Sequence, residues 1–285
     1  MDPHKPFDRG LRRMRRDRAA RTEPVVDFLH RHAGDELLAR LDLVKREFSD
    51  ALDLGSGTRF LSDALKTRGM KVVSADPGYL FAASGDVQCD EDRLPFGDRS
   101  FDLVVSVGTL DTVNDLPGAL ALIRRALRPD GLFLAAFAGA GSLTGLRSAM
   151  RAAEEAQGGA AAARIHPQID VRAAGDLLAR TGFALPVVDT ETVRIRYSGL
   201  SRLISDLRAM GAANMLASRS RLSFSRIGYA AAIADFASRA DSDGKTEERF
   251  ELLYLIGWSP SPTQPQPAPR GSGTASLAAA LKSRA

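Results

Sequence analysis

Cysteine is almost absent from this chain of 285 residues, in which Cys89 is the only one, so an internal disulfide and a cysteine metal cluster are excluded. The sequence also lacks a long apolar run and a segment like the core of a secretory signal, which predicts a cytoplasmic location. A repeat of fixed period is missing as well, which excludes solenoid folds. Apolar residues make up 44% and charged residues 26%, enough for one complete core with appendages.

Lysine is scarce, because only six of the 39 basic residues are Lys. The net charge is +4, and arginines crowd the amino terminus at positions 9, 12, 13, 15, 16, 18 and 21. Such a cluster can contact a membrane surface, nucleic acid or an acidic partner, and it also imitates a transit peptide. Since arginine is preferred throughout the chain, we predict a solvated helix face and no nucleic-acid partner.

Histidine is scarce too, with four residues, and no His-x-Asp or His-x-Glu pair is present. His30 and His32 are two apart in a segment that is typical of a helix, so they do not share a face. We therefore predict no metal site. His166 precedes a proline and is interpreted as a structural turn residue, with a role on the acceptor side as the alternative.

Residues 50–65 read DALDLGSGTRFLSDAL, a short apolar strand followed by a turn and a helix. Gly55 and Gly57 let the backbone turn tightly and approach a ligand without Cβ clashes, with Ser56 between them. Asp53 stands where its carboxylate can accept hydrogen bonds near the turn. The pattern predicts a nucleotide-like ligand at this turn, and the alternative is a tight connection that binds nothing.

The missing third glycine decides between two cofactors. A dinucleotide fingerprint requires glycine at position 60, where this chain has Phe60, so S-adenosylmethionine is favoured over NAD. The usual methyltransferase loop has glycine at position 59, where Arg59 stands. We interpret Arg59 as pointing to solvent from the helix start, with an ion pair to the cofactor carboxylate as the alternative.

Polar residues at later strand ends complete the predicted cofactor site. Asp76 ends a second strand about 20 residues beyond the glycines, the spacing at which a carboxylate holds ribose hydroxyls. Asp90 is predicted to face the adenine amino group, and Ser106 ends the fourth strand beside the switch point of the sheet. Asp111 and Thr112 follow that strand near the expected methyl group, although acids there often cap the next helix.

The remaining pattern predicts an α/β fold, a Rossmann-like seven-stranded class I methyltransferase sheet with helices on both faces and a helical cap near the C-terminal strands. After the fifth strand we expect helices at 142–163, 170–182, 201–210 and 226–239, and strands at 183–197 and 249–258. The chain is predicted to have three parts. Residues 1–49 form a basic helical segment, and residues 50–258 form the methyltransferase-like domain, with cap helices around 198–240. Residues 259–285 form a Pro-rich tail that ends in a short helix at 276–282.

Motifs along nearly the whole chain resemble the methyltransferase-fold assembly factors of respiratory complex I. The resemblance rests on FDR at 7–9, LDLGSG at 52–57, LPFGDRSFDLVVS at 94–106, VNDLPGAL at 113–120, LRPDGLF at 127–133, HPQID at 166–170, DLLARTGF at 176–183, DLRAMGAAN at 206–214, YLIGW at 254–258 and RGSGTASL at 270–277. The core motifs also resemble the malonyl carrier-protein methyltransferase of biotin synthesis. The segment at 110–113 lacks the His-Trp pair typical of the assembly factors.

The resemblance implies S-adenosylmethionine as cofactor and a complex I subunit as protein substrate, with the membrane approached only through that substrate. In the mitochondrial member it implies hydroxylation of an arginine. Three functions stay open: an enzyme that modifies a protein side chain, an assembly factor without turnover, and a small-molecule methyltransferase. Methyl transfer relies mainly on positioning, so the absence of a general-base motif does not exclude it. The oligomeric state is left open.

Overall fold

The computed structural model of the protein describes residues 5–158, 164–221, 223–264 and 272. The strands are β1 (Asp50–Leu54), β2 (Lys71–Asp76), β3 (Val87–Gln88), β4 (Phe101–Val107), β5 (Leu127–Ala138), β6 (Ala184–Tyr197) and β7 (Thr246–Trp258). The helices are α1 (Arg9–Ala20), α2 (Phe28–Asp42), α3 (Phe60–Thr67), α4 (Tyr79–Ala83), α5 (Leu116–Ala126), α6 (Thr144–Ala156), α7 (Val171–Arg180), α8 (Leu200–Ala209) and α9 (Arg226–Ala237).

The strands form one seven-stranded sheet in the order β3-β2-β1-β4-β5-β7-β6. Strands β1 to β5 pair in parallel, whereas β7 runs antiparallel to both β5 and β6. All seven residues of β4 are buried, as expected for a central parallel strand covered on both faces. The predicted seven-stranded α/β fold is confirmed.

Helices cover both faces of the sheet and bury two separate apolar layers. On one face Leu120 and Ile123 of α5 pack with Leu178 of α7, and on the other face Leu37 of α2 packs with Leu65 of α3. Full burial of a leucine side chain contributes about 1.5–3 kcal/mol, so these layers hold the strand ends at one edge in fixed positions.

A third apolar cluster joins α6, α8 and α9 to the ends of β6 and β7, and forms the cap. Leu146, Leu203 and Phe236 are members of it, together with Tyr197 and Phe250 of the strands. Tyr197 of β6 pairs directly with Thr246 of β7, and the chain between these two residues forms α8 and α9. The part of the cap that contains α8 and α9 therefore leaves and rejoins the sheet at one place, whereas α6 enters from the end of β5.

The predicted helix at 142–163 begins later, at Thr144, and its last five positions lie outside the described residues. Most of the Pro-rich tail and the predicted helix at 276–282 lie outside them as well. The first residue of the tail packs against the beginning of β5, where Ser259 N–H donates a hydrogen bond to Gly131 O at 2.8 Å.

Candidate functional site

The turn between β1 and α3 lies at the carboxyl edge of the sheet, where ligands bind in open α/β folds. Gly55 has φ +82°, and a Cβ atom there would lie 2.3 Å from Thr109 Cγ2. Gly57 has φ +51°, and a Cβ atom there would make only ordinary contacts, with Arg16 Nη2 and Gly55 O at 3.8 Å. Gly55 is thus required because a side chain there would collide with Thr109, and Gly57 is required because its backbone has the left-handed conformation that favours glycine.

Arg59 has φ +67°, the left-handed conformation that favours glycine, and this explains why the usual loop has glycine at that position. The Arg59 side chain is partly exposed at the start of α3. Its charge is one of the weaker influences that lower the pKa of Asp53.

Asp53 is buried at the end of β1 and lines a narrow crevice beside the turn. Burial raises its pKa to about 6, although Ser62 Oγ donates a hydrogen bond to Asp53 Oδ2 at 2.6 Å. Ser56 Oγ lies in the same crevice, is buried, and has no hydrogen-bond partner. An orphaned hydroxyl beside a glycine turn fits a polar ligand at this position.

Asp76 ends β2 as predicted, and a side chain of the protein already holds its carboxylate. Arg16 Nε donates to Asp76 Oδ1 at 2.7 Å and Arg16 Nη2 donates to Oδ2. The backbone N–H groups of Gly57 and Gly78 donate to the same carboxylate at 3.1 and 2.8 Å. Arg16 is one of the residues that line the crevice, whose free volume is about 40 Å³.

Asp90, Glu91 and Asp92 follow β3 and meet three further arginines of α1. Arg13 Nη2 lies 2.6 Å from Asp90 Oδ2, Arg9 binds Asp90 at 3.0 Å and Asp92 at 2.5 Å, and Arg12 binds Glu91 at 2.6 Å. Asp90 Oδ1 is buried without a hydrogen-bond partner. An acceptor atom thus remains free where the adenine amino group is predicted.

The prediction that the basic amino terminus is a solvated helix face is wrong. Arg12 and Arg16 are buried, with 3% and 9% of their surface exposed. The physical reason is the row of carboxylates at the sheet edge, because buried acids require counter-charges and hydrogen-bond donors. Helix α1 therefore covers the cofactor edge.

Ser106 is the last but one residue of β4 and is buried, and its hydroxyl pairs with Thr109 Oγ1 at 3.1 Å. It lines neither the crevice nor the larger cavity described next. Thr112 is also engaged inside the protein, since its Oγ1 accepts from Arg12 Nε and donates to Thr109 O, both at 3.0 Å.

A second cavity of about 810 Å³ lies beside the crevice, between the sheet edge and the cap. His30 and Val107 line both spaces, so the two adjoin. Apolar side chains from the sheet and cap cover much of the wall, among them Leu29, Leu146, Met150, Phe250 and Leu252. A cavity of this size can hold an acceptor molecule or a side chain of a protein substrate.

Asp111 lies in the short 3-10 turn Leu110–Thr112 after β4 and lines this cavity. Its Oδ1 atom is buried without a hydrogen-bond partner, and burial raises its pKa to about 6. The charge of Arg12 opposes that rise. A carboxyl group that is easily protonated and unpaired is suited to accept a proton from an acceptor.

His30 and His166 both line the larger cavity, and burial lowers the pKa of each to about 4. His30 packs against Gly108, where a Cβ atom would lie 2.4 Å from the ring. His166 Nε2 accepts from Met215 N–H at 2.9 Å, and its ring meets Phe7 edge to face. His32 instead pairs with Glu191 at the surface. Within the described ranges, no group of three His, Cys, Asp or Glu residues is arranged to hold a metal ion.

Sequence reasoning missed the cavity wall opposite the sheet. Arg15, Arg208 and Arg219 come from α1, α8 and the loop after α8, and their positions form no local motif. For His30 the sequence signal was the apolar spacing of α2, because Leu29, Ala33 and Leu37 of the same helix are buried.

Among the helices that the structure describes, none combines the length and the apolar character that a membrane span requires.

Comparison with known proteins supports the geometry. A family model described as a methyltransferase domain matches residues 52–135. The YcgJ protein of Bacillus subtilis has a similar fold, with a TM-score of 0.53 at 15% identity over 81% of this chain and 100% of that chain. Fold, glycine turn and domain match define a class I methyltransferase domain whose cofactor is S-adenosylmethionine.

Two groups of relatives exceed 30% identity. The human protein named arginine-hydroxylase NDUFAF5, mitochondrial, is 35% identical over 282 residues, which cover 95% of this chain and 82% of the relative. The malonyl-[acyl-carrier protein] O-methyltransferase of Methylovorus is 34% identical over 273 residues, which cover 89% and 90% of the two chains. The chain belongs to the family of methyltransferase-fold complex I assembly factors that includes arginine-hydroxylase NDUFAF5. The family predicted from the motifs is confirmed.

Proposed function

We propose that this protein is an S-adenosylmethionine-dependent enzyme that modifies a protein side chain, an arginine of a complex I subunit, during assembly of that complex. The observation that carries the proposal is the junction of two spaces, a glycine-lined crevice with the unpaired Ser56 hydroxyl and a cavity of about 810 Å³ that Asp111 lines. The name of the relatives supports arginine as the modified residue. We propose a cytoplasmic location for the protein.

Residues at the sheet edge would hold the cofactor. Asp76 would bind the ribose hydroxyls and Asp90 the adenine amino group, while the turn at 55–57 lies along the nucleoside. Asp53 and Ser106 support the turn from beneath through Ser62 and Thr109. When bound, S-adenosylmethionine supplies an electrophilic methyl group.

The chain's own contribution to the reaction is to position the acceptor and to take up its proton. An acceptor nitrogen or oxygen that gains a bond to carbon must lose a proton, and Asp111 is the carboxylate that lines the cavity. General-base assistance of this kind contributes about 10²–10⁴-fold to a rate.

Arg16 favours a second function, that of an assembly factor without turnover. Its ion pair occupies the carboxylate that would bind ribose, and its side chain lines a crevice of only about 40 Å³. An assembly factor of this kind would recognise its partner with α1 closed over the sheet edge. Turnover requires that this contact opens.

The two functions are separated by mass analysis of complex I subunits. Subunits are isolated from a strain that lacks the gene and from strains that carry the wild type or Asp111→Asn. A subunit arginine peptide that is heavier only with the wild type supports the enzyme, and the added mass distinguishes methylation from hydroxylation. An unmodified peptide in every strain, with complex I assembled in both complemented strains, contradicts the enzyme and supports the factor without turnover.

A further inference from the structure

The larger cavity has an uneven charge. Among the described residues that line it, five are arginines, and Asp111 is the acid. His30 and His166 add no positive charge at pH 7, because burial lowers the pKa of each to about 4. The five arginines are Arg15, Arg164, Arg208, Arg219 and Arg221.

Two of these arginines have an acidic partner within the protein. Arg164 Nε lies 2.7 Å from Glu154 Oε1, and Arg164 also covers the ring of Phe224. Arg219 Nη1 lies 3.3 Å from Asp8 Oδ2 and donates to Leu216 O at 2.9 Å. These contacts fix the loops at the cavity edge.

Arg15 is different, because its Nη1 atom is buried and has no hydrogen-bond partner. Burial is the main cause that lowers the pKa of Arg15, followed by repulsion from the charges of Arg219, Arg18 and Arg208. A buried donor without a partner costs about 1–3 kcal/mol. The fold therefore holds the Arg15 guanidinium where no group of the described protein accepts a hydrogen bond from its Nη1 atom.

The packing of α1 on the turn after α8 creates this arrangement. Gly211 has φ +76°, and a Cβ atom there would lie 3.5 Å from Ala19 Cβ and 3.7 Å from Arg15 O. This close approach brings Arg15 beside Arg208, at the end of α8, and beside Arg219 in the following loop. Three separate segments thus supply the positive wall.

We propose that Arg15, Arg208 and Arg219 form an anion subsite that holds a carboxylate or phosphate group of the acceptor. The inference rests on the proposed function, in which this cavity receives the acceptor. Guanidinium groups match the planar, paired oxygens of such anions. The same three arginines repel the guanidinium of an arginine substrate. We therefore expect that such an arginine reaches Asp111 only when an acidic group next to it in the substrate binds the arginine wall.

Calorimetric titration of the full-length protein at low ionic strength tests the subsite, with inorganic phosphate and malonate as separate probes. The variants are Arg15→Gln, Arg15→Lys and the matched control Arg21→Gln, which alters an exposed arginine directly after the same helix and outside the cavity lining. We expect saturable binding to the wild type and to Arg21→Gln, at least tenfold weaker binding to Arg15→Gln, and partial recovery in Arg15→Lys. Tighter malonate binding identifies a carboxylate, and tighter phosphate binding identifies a phosphate.

Equal affinity of the wild type and Arg15→Gln, or no saturable binding of either probe, overturns the subsite. If Arg15→Gln fails to fold, Arg208→Gln takes its place, because Arg208 is exposed at the end of α8. S-adenosylmethionine affinity is measured on the same samples. Retained cofactor binding without anion binding contradicts the subsite alone, whereas an unmodified complex I arginine contradicts the proposed function alone.

Discussion

Replacing Arg16 by alanine tests whether α1 competes with the cofactor for Asp76. In the structure the Arg16 guanidinium holds both oxygens of that carboxylate, and both residues are buried. Ribose hydroxyls that bind Asp76 must displace this group. We therefore expect Arg16→Ala to bind S-adenosylmethionine more tightly and to unfold at a lower temperature when no ligand is present.

The size of both effects follows from the contacts. Removing one partner of a buried ion pair costs about 3–5 kcal/mol when the other charge is left alone. Here the N–H groups of Gly57 and Gly78 still donate to Asp76, so we expect a loss of stability near the lower limit. A gain of about 1.4 kcal/mol in cofactor binding corresponds to a tenfold lower dissociation constant.

Isothermal titration with S-adenosylmethionine and thermal unfolding without ligand measure the two effects. Arg18→Ala is the matched control, since Arg18 is an exposed residue of the same helix and lies outside the crevice lining. The control should match the wild type in both assays. Weaker cofactor binding by Arg16→Ala would refute the reasoning and would make Arg16 a ligand of the cofactor.

Three further predictions concern single residues. Arg59→Gly should raise the free energy of unfolding by about 1 kcal/mol in urea titration, because glycine adopts φ +67° without strain, whereas Lys66→Gly in the same helix should lower it by a similar amount. The buried His166 has a pKa of about 4 when folded against 6.5 when unfolded, so the unfolded chain binds the extra proton and stability is lost as pH falls from 6.5 to 4. The stability difference between the wild type and His166→Gln should thus shrink by about 2 kcal/mol between pH 7 and 4.5, and a constant difference would contradict this. Asp111→Asn should reduce turnover about 10²-fold and should remove the fall in wild-type rate below pH 6, as measured in a pH–rate profile; an unchanged profile would exclude Asp111 as the base.

The sequence was sufficient for the parts of the site that are local. The turn at 55–57, the strand end at Asp76 and the position of Asp111 after β4 could be predicted, because the carboxyl ends of parallel strands meet at one edge. The cofactor, the sheet and the family were confirmed, whereas the role of each site residue stays a prediction. The left-handed conformation of Arg59 was not foreseen, although the missing glycine was noted.

The charge pairing between α1 and the sheet could not be predicted. Arg16 and Asp76 are 60 positions apart, and no spacing rule links a helix arginine to an acid that far along the chain. An arginine-rich helix has the same sequence pattern whether it faces water or a row of carboxylates. The arginine wall is equally non-local, since Arg15 and Arg219 meet only after α1 packs on the turn at Gly211.

The joining of the cap to a strand hairpin has a consequence for how related enzymes diverge. Tyr197 and Thr246 are direct partners in the ladder, so residues 198–245 form a detour that starts and finishes at neighbouring positions. Insertions, deletions or wholesale replacement within that detour leave the pairing of the two strands intact. Because residues of this excursion line the larger cavity, changes within it would reshape that cavity without breaking the sheet.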